Sequence, residues 1–254
     1  MLRADGTPCF SVGNSAVVFK VKCAGRLHSL RCYLRRKANL RVIYGARFYE
    51  KELLIFDDDG RCERVDVVLD EWHEGETLDR AIERHCLDAE YMQRLSHNFE
   101  HLALDLLDKE WAHGDIKPDN IIVSADESLH LIDFDAMVSP EVDLTLYDEE
   151  GTRGFCHPLR NYVPVAKSID DYPLALIVTA LAALAYDGTL AERYGVSDRL
   201  LFDAESVVGA HSVNFDEVLR LFVAKGDGRH FHIAQLLRSA EPALPRLRKL
   251  LASY

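Results

Sequence analysis

The chain has 254 residues, 48% apolar and 28% charged, with a net charge of −12. That length can bury a full core, as one large domain or as two lobes. The acidic balance argues against nucleic acid as the main partner, because a phosphate backbone is gripped by a basic surface; a small phosphate-bearing ligand can be neutralised locally. The opening Met1-Leu2-Arg3-Ala4-Asp5-Gly6 has no apolar run of signal-peptide type. Six cysteines are scattered without a paired Cys-x-x-Cys spacing. They read as reduced packing residues of a cytoplasmic protein that needs neither a membrane nor a structural metal.

Residues 8–78 read mainly as strand and turn. Segments 16–22 and 27–34 are rich in β-forming residues and joined by Ala24-Gly25-Arg26, which predicts a hairpin. A short helix is expected over 38–48. A second strand pair, 52–56 and 64–69, flanks Asp57-Asp58-Asp59-Gly60, an acidic run with the chemistry of a solvated turn. From Glu76 onward helical spacing takes over, with a helix starting at 77–82 and a longer one over 89–107 that carries Leu95, Phe99, Leu102 and Leu106. Further helices are expected at 169–185, 215–224, 233–237 and 244–251. The apolar stretch 172–186 is shorter than the roughly 20 residues of a bilayer helix and reads as a buried core helix. The pattern is α+β, a strand-rich amino-terminal part meeting a helix-rich remainder near Trp72 to Gly75.

The chemistry concentrates in His113-Gly114-Asp115-Ile116-Lys117-Pro118-Asp119-Asn120 and in Ile132-Asp133-Phe134-Asp135. Phosphoryl transfer requires a carboxylate to orient an attacking hydroxyl, a cation near the phosphate and oxygen ligands for Mg²⁺. Asp115, Lys117, Asn120 and Asp133 supply that set. Mg²⁺ keeps several waters, so one amide oxygen and one carboxylate suffice when phosphates complete its shell. Short apolar strands at 121–123 and 129–132 bracket a turn-like stretch at 124–128, and such a hairpin would bring Asn120 and Asp133 to one end, where they could share a metal.

These two motifs resemble the catalytic loop and metal-binding motif of the protein-kinase superfamily, of bacterial serine/threonine type with a divergent nucleotide loop. His-Gly-Asp stands where His-Arg-Asp is usual, and Asp-Phe-Asp where Asp-Phe-Gly is usual. The resemblance implies a two-lobed fold: residues 1–74 an antiparallel-sheet lobe that covers the nucleotide, and residues 75–254 a helical lobe with the catalytic loops. It implies ATP and Mg²⁺ as cofactors. Asp115 would orient the substrate hydroxyl and take its proton, Lys117 would neutralise the γ-phosphate, and Asn120 and Asp133 would hold the metal. His113 would fix the loop through hydrogen bonds to backbone, and Gly114 removes the arginine that receives an activation-loop phosphate in many kinases. Asp135 is either a further metal contact or a solvated residue.

In the amino-terminal part the stretch 11–17 keeps one glycine, Gly13, of the usual three. Arg31 stands at the strand-3 lysine position; Arg31, Lys20 or Lys22 would reach the phosphates, with Glu50 or Glu52 as the acid that pairs with the cation. The connector 67–75 resembles a hinge, with backbone at Glu71 and His73 meeting the adenine edge, Val17 and Ile122 sandwiching the ring, and Asp70 gating the back pocket. Gly151-Thr152-Arg153-Gly154-Phe155-Cys156-His157-Pro158 resembles the end of an activation segment, with Leu159 replacing its glutamate. Asp170 matches the aspartate that supports the catalytic loop. Arg229-His230-Phe231-His232 has no ligand spacing for a metal.

The leading expectation is a kinase acting on protein Ser or Thr hydroxyls, as Lys117-Pro118 and the activation-like segment suggest. Two alternatives stand beside it: a pseudokinase that binds nucleotide or a protein partner without efficient turnover, and a small-molecule kinase of the aminoglycoside or choline kinase type, whose relatives share His-Gly-Asp.

Overall fold

Alternating apolar residues fold the amino-terminal segment into a five-stranded antiparallel sheet of order β1-β2-β3-β5-β4. Its strands are β1 (Phe10–Val12), β2 (Ala16–Cys23), β3 (Arg26–Tyr33), β4 (Phe48–Phe56) and β5 (Cys62–Glu71). The computed structural model describes Met1 and residues 7–13, 15–56, 59–196 and 199–253. Leu2 to Gly6 of the opening segment, Asn14 of the 11–17 stretch, and Asp57 and Asp58 of the acidic turn lie outside the described residues.

β2 and β3 meet through Ala24 and Gly25, both at positive φ (48° and 83°), the backbone of a two-residue turn whose twist matches its strands. Between Tyr49 and Leu53 the register of β4 on β5 shifts, and Lys51 takes φ 51° there while its N–H donates to Asp66 Oδ1 at 2.9 Å. One sheet face buries Cys32, Val65 and Val67, with Phe19, Leu30, Leu53 and Ile55 packed on them. The expected helix at 38–48 shrinks to α1 (Leu40–Tyr44), followed by a 3₁₀ turn, Gly45–Arg47, that runs straight into β4. Left-handed Asn39 (φ 62°) opens α1 and Gly45 (φ 53°) closes it, which limits it to little more than one turn.

The chain divides into two compact units, Met1–His73 with Glu141–Tyr147, and Glu74–Pro140 with Asp148–Tyr254. Within the first, Asn39 Nδ2 donates to the Asp143 carbonyl at 3.2 Å and the Asp143 N–H donates back to Asn39 Oδ1 at 3.1 Å. A later piece of chain is thereby fastened to the sheet unit.

The second unit is mainly helical: α2 (Leu78–His85), α3 (Ala89–Asp108), α4 (Asp171–Tyr186), α5 (Thr189–Tyr194), α6 (Ala204–Val208), α7 (Val213–Lys225), α8 (Gly228–Leu236) and α9 (Leu247–Leu251). Asp88 caps α3 by accepting the Tyr91 N–H at 3.0 Å, and Met92, Leu95, Phe99, Ala103 and Leu106 form its buried stripe. Almost every residue of α4 is buried. With the 3₁₀ turn before it, α4 extends over Lys167–Tyr186, 20 residues, which is long and apolar enough to cross a bilayer; 83% of its apolar window is instead buried in the core. The short helices α5 and α6 have no counterpart in the sequence expectation, and the segments expected at 233–237 and 244–251 are shifted, since α8 begins at Gly228 and α9 only at Leu247.

A second small sheet, β6 (Glu76–Thr77), β7 (Ile121–Val123) and β8 (Leu129–Leu131), is antiparallel in that order. It needs Gly75: at φ 153°, any Cβ there would sit 2.2 Å from the Val123 carbonyl oxygen. The six cysteines are free thiols, Cys32 and Cys86 buried.

The interior of the second unit holds a polar cluster. Glu100 of α3, 3% exposed, accepts from Arg229 Nη2 at 2.7 Å and meets His230 Nε2 at 2.8 Å. His230 Nδ1 lies 2.6 Å from Asp227 Oδ2, to which the Tyr186 hydroxyl also donates at 3.0 Å. His230 thus joins two carboxylates inside the fold.

Candidate functional site

The loop before β7 is held from below by Asp170. Its buried carboxylate accepts the His113 N–H at 2.5 Å and the Gly114 N–H at 2.9 Å. Desolvation pushes the Asp170 carboxyl up, against the opposing pull of the two amides. His113, fully buried, accepts the Asp115 N–H at Nδ1 (3.3 Å), which leaves Nε2 to carry the ring proton and donate to the Ile132 carbonyl at 2.9 Å. The histidine therefore ties the loop to the residue before Asp133.

Asp115 is positioned through both oxygens. Oδ1 accepts the Thr152 N–H at 2.9 Å and the Thr152 hydroxyl at 2.8 Å; Oδ2 accepts Asn120 Nδ2 at 3.2 Å and lies 3.5 Å from Lys117 Nζ. Asn120 Nδ2 also donates to the Asp115 carbonyl at 2.8 Å. Both acceptors claim the amide nitrogen, so Oδ1 of Asn120 is the end left for a cation. Beyond the Ile121–Leu131 pair of β7 and β8, the Ile132 N–H donates to the Asn120 carbonyl at 2.9 Å. The hairpin thus delivers Asn120 and Asp133 to one end. Asp133 sits at φ 67°, ψ 66°, a left-handed conformation unusual for a non-glycine residue and found mainly at Asn and Asp outside glycine.

Among the described residues no group of three or more His, Cys, Asp or Glu could hold a metal ion. An amide oxygen and a carboxylate at one hairpin end suit a hard cation that brings other oxygen ligands with it. Asp135 lies in the 3₁₀ turn Phe134–Ala136, half-buried. Asp119 is the exposed member of the loop, and its carboxyl is pushed up by desolvation and then by the charge of Asp79 in α2. Ile122 is the half-buried middle residue of β7, between Ile121 and Val123, which are buried.

Val17, Lys20, Arg31, Glu71 and His73 belong to the first unit, and Asp115, Lys117, Asn120, Ile122 and Asp133 to the second. The β2–β3 register pairs Val18 with Arg31, Lys20 with Ser29 and Val17 with Cys32. Directly paired residues share a sheet face and successive residues alternate. Lys20, Lys22 and Arg31 therefore share one face, whereas Val17 falls on the other, with the buried Cys32. Val18, one residue on, is the β2 valine on the cationic face. Lys20 Nζ lies 4.8 Å from the centre of the Trp72 ring.

Glu50 and Glu52 are not on a helix. Both lie in β4, because the chain has already turned at Gly45–Arg47, and Glu50 pairs with Arg41 at 2.7 Å on the surface. Asp70 instead pairs with Arg47, whose Nη1 donates to both carboxylate oxygens, at 2.8 and 2.7 Å. Glu71 ends β5 opposite His28, and its N–H is taken by Asp70 Oδ1 at 2.8 Å; His73 follows at the end of the first unit. His230 is engaged by Glu100 and Asp227.

Arg47 is a partner that motif reading did not name, and Thr152 was named there only as part of the activation-like segment, with no role. Thr152 follows Gly151, whose φ of 73° strains any side chain and where a Cβ would displace the Arg160 guanidinium, 2.6 Å away at Nη1. Arg47 carried no such signal. In comparisons with known proteins, no family model and no curated protein matches the chain.

Proposed function

We propose that this chain is an ATP- and Mg²⁺-dependent phosphotransferase with a two-lobed, protein-kinase-like fold, acting on Ser or Thr hydroxyls of a protein. The observation that carries the reading is the Asp115 carboxylate, held by Thr152, Asn120 and Lys117 beside a hairpin end that presents Asn120 and Asp133 together. Asp115 orients the attacking hydroxyl and accepts its proton, a contribution of about 10²–10⁴-fold. Lys117 places a positive charge within reach of the same carboxylate and of an incoming phosphate. Asn120 Oδ1 and the Asp133 carboxylate would hold Mg²⁺, which neutralises phosphate charge when bound. Radiolabelled phosphate should pass from ATP to protein with wild type and fall by at least 10²-fold with Asp115→Asn. Equal labelling by that variant overturns the assignment of roles.

A second reading, a pseudokinase that binds nucleotide or a protein partner without efficient turnover, is favoured by the first unit. Glu50 and Glu52 stand in a strand, where Glu50 pairs with Arg41 at the surface, and a further pair, Asp70 with Arg47, comes from β5 and a 3₁₀ turn. Turnover requires nucleotide binding, whereas a scaffold for a protein partner does not. Mg·ATP at millimolar concentration should raise the melting temperature, since a ligand of the native state stabilises it; an unchanged melting temperature contradicts the phosphotransferase and favours the scaffold.

A further inference from the structure

We infer that His97 and His101 on α3 form a bidentate site for a borderline divalent transition-metal ion such as Zn²⁺ or Cu²⁺, separate from the loop around Asp115. Four residues apart, the two imidazoles stand on one helix face. Both are exposed, with ring centres 4.5 Å apart at 80°, and their Nε2 atoms are 3.1 Å from each other.

That separation is what a shared ion requires. With metal–nitrogen bonds of roughly 2.0–2.1 Å, two donors 3.1 Å apart subtend an angle of roughly 100° at the metal, between square-planar and tetrahedral geometry. Without metal, one Nε2 donates its proton to the other. Binding moves the proton of the donating ring to Nδ1, which frees both Nε2 lone pairs with no change in charge. His97 also lines a cavity of about 490 Å³ with Gln93, Arg94, Asn98, Asp126 and Glu127. Arg94 is neutralised there by Glu127 at 2.8 Å, so Asp126 leaves the lining with a negative charge.

The stretch His97-Asn98-Phe99-Glu100-His101 has the His-x-x-Glu-His spacing of a zinc-peptidase helix. Glu100, however, turns into the core and is bound to Arg229 and His230, so it cannot activate a water at the histidines. The site assigned here binds metal and does not hydrolyse.

Chelator-stripped protein titrated calorimetrically with Zn²⁺ provides the test, against His97→Gln, His101→Gln and the double variant. Exposed Cys23 and Cys62 can add thiolate sites, so the exposed thiols are first alkylated and the tightest remaining event is the one to follow. Each single variant should weaken it at least tenfold, and the double variant should lose little more, as expected of two donors acting on one ion. Unchanged tightest binding in either single variant, or losses that simply add, overturns the proposal. Wild type with one equivalent of Cu²⁺ should show electron-spin coupling to two nitrogens, and coupling to one or none also overturns it. Both positions are exposed, so the variants should melt like wild type without metal.

Discussion

At the scale of single residues the candidate site is a carboxylate with a prescribed direction. Thr152 donates twice to Oδ1 of Asp115, which turns Oδ2 toward Lys117 and Asn120. Thr152→Val removes the hydroxyl and keeps the backbone donor. A hydrogen bond to a charged group contributes about 1.5–3 kcal/mol. If that energy goes into holding Asp115 for reaction, kcat should fall by about tenfold to hundredfold with KM for ATP nearly unchanged, and Thr152→Ser should restore it. Steady-state kinetics of the three proteins checks this; a change confined to KM would place Thr152 in binding instead.

At the scale of elements two features organise the second unit, the β7–β8 hairpin and the polar contact of α3 with α8. The carboxyls of Glu100 and Asp227 lie below their usual range: desolvation raises both, and the hydrogen bonds from His230, with Arg229 at Glu100 and Tyr186 at Asp227, outweigh it. A lowered folded-state pKa means that the native state binds fewer protons than the unfolded chain. The stabilisation is present above the ordinary carboxylate range near pH 4 and is lost as pH falls through the lowered values. Melting temperature measured from pH 6 to pH 3 should drop along an acid limb, and Glu100→Gln should flatten that limb while lowering the plateau. The hairpin, and with it the meeting of Asn120 and Asp133 at one end, was legible in the sequence because two apolar runs bracket a turn-like stretch, whereas the expectations for Asp170 and His113 came from the resemblance to protein kinases. Less legible was the amino-terminal sheet. A one-residue change of register moves a side chain to the opposite face, so Val17 and Val18 cannot be told apart by composition. The helix expected over 38–48 came out too long because nothing in that stretch announces that Asn39 and Gly45 confine it to little more than one turn, and Glu50, left beyond it, joins Glu52 in β4. The short helices α5 and α6 offer too few residues for periodicity to register.

At the scale of the whole molecule the two units differ in how much they bury. The second is built on α3 and α4, whose side chains include fully buried Phe99, Tyr172 and Leu174; the first rests on thinner faces, Cys32, Val65 and Val67 on one side. Larger apolar burial gives larger local stability. Hydrogen exchange followed by mass spectrometry should therefore show slower exchange in α3 and α4 than in β1 to β5, and equal protection in the two units would contradict this account. The Asn39–Asp143 pair carries a consequence for the order of events in synthesis. The sheet unit is assembled from residues on both sides of the loop at 113–120, so its last piece, Glu141–Tyr147, leaves the ribosome well after His73. At about 5–20 residues per second the delay is roughly 4–15 s, during which the Asn39 side chain lacks the backbone groups that fasten it. A nascent chain halted short of residue 141 can form the five strands but cannot close this unit, whose completion waits for sequence that follows Asp133.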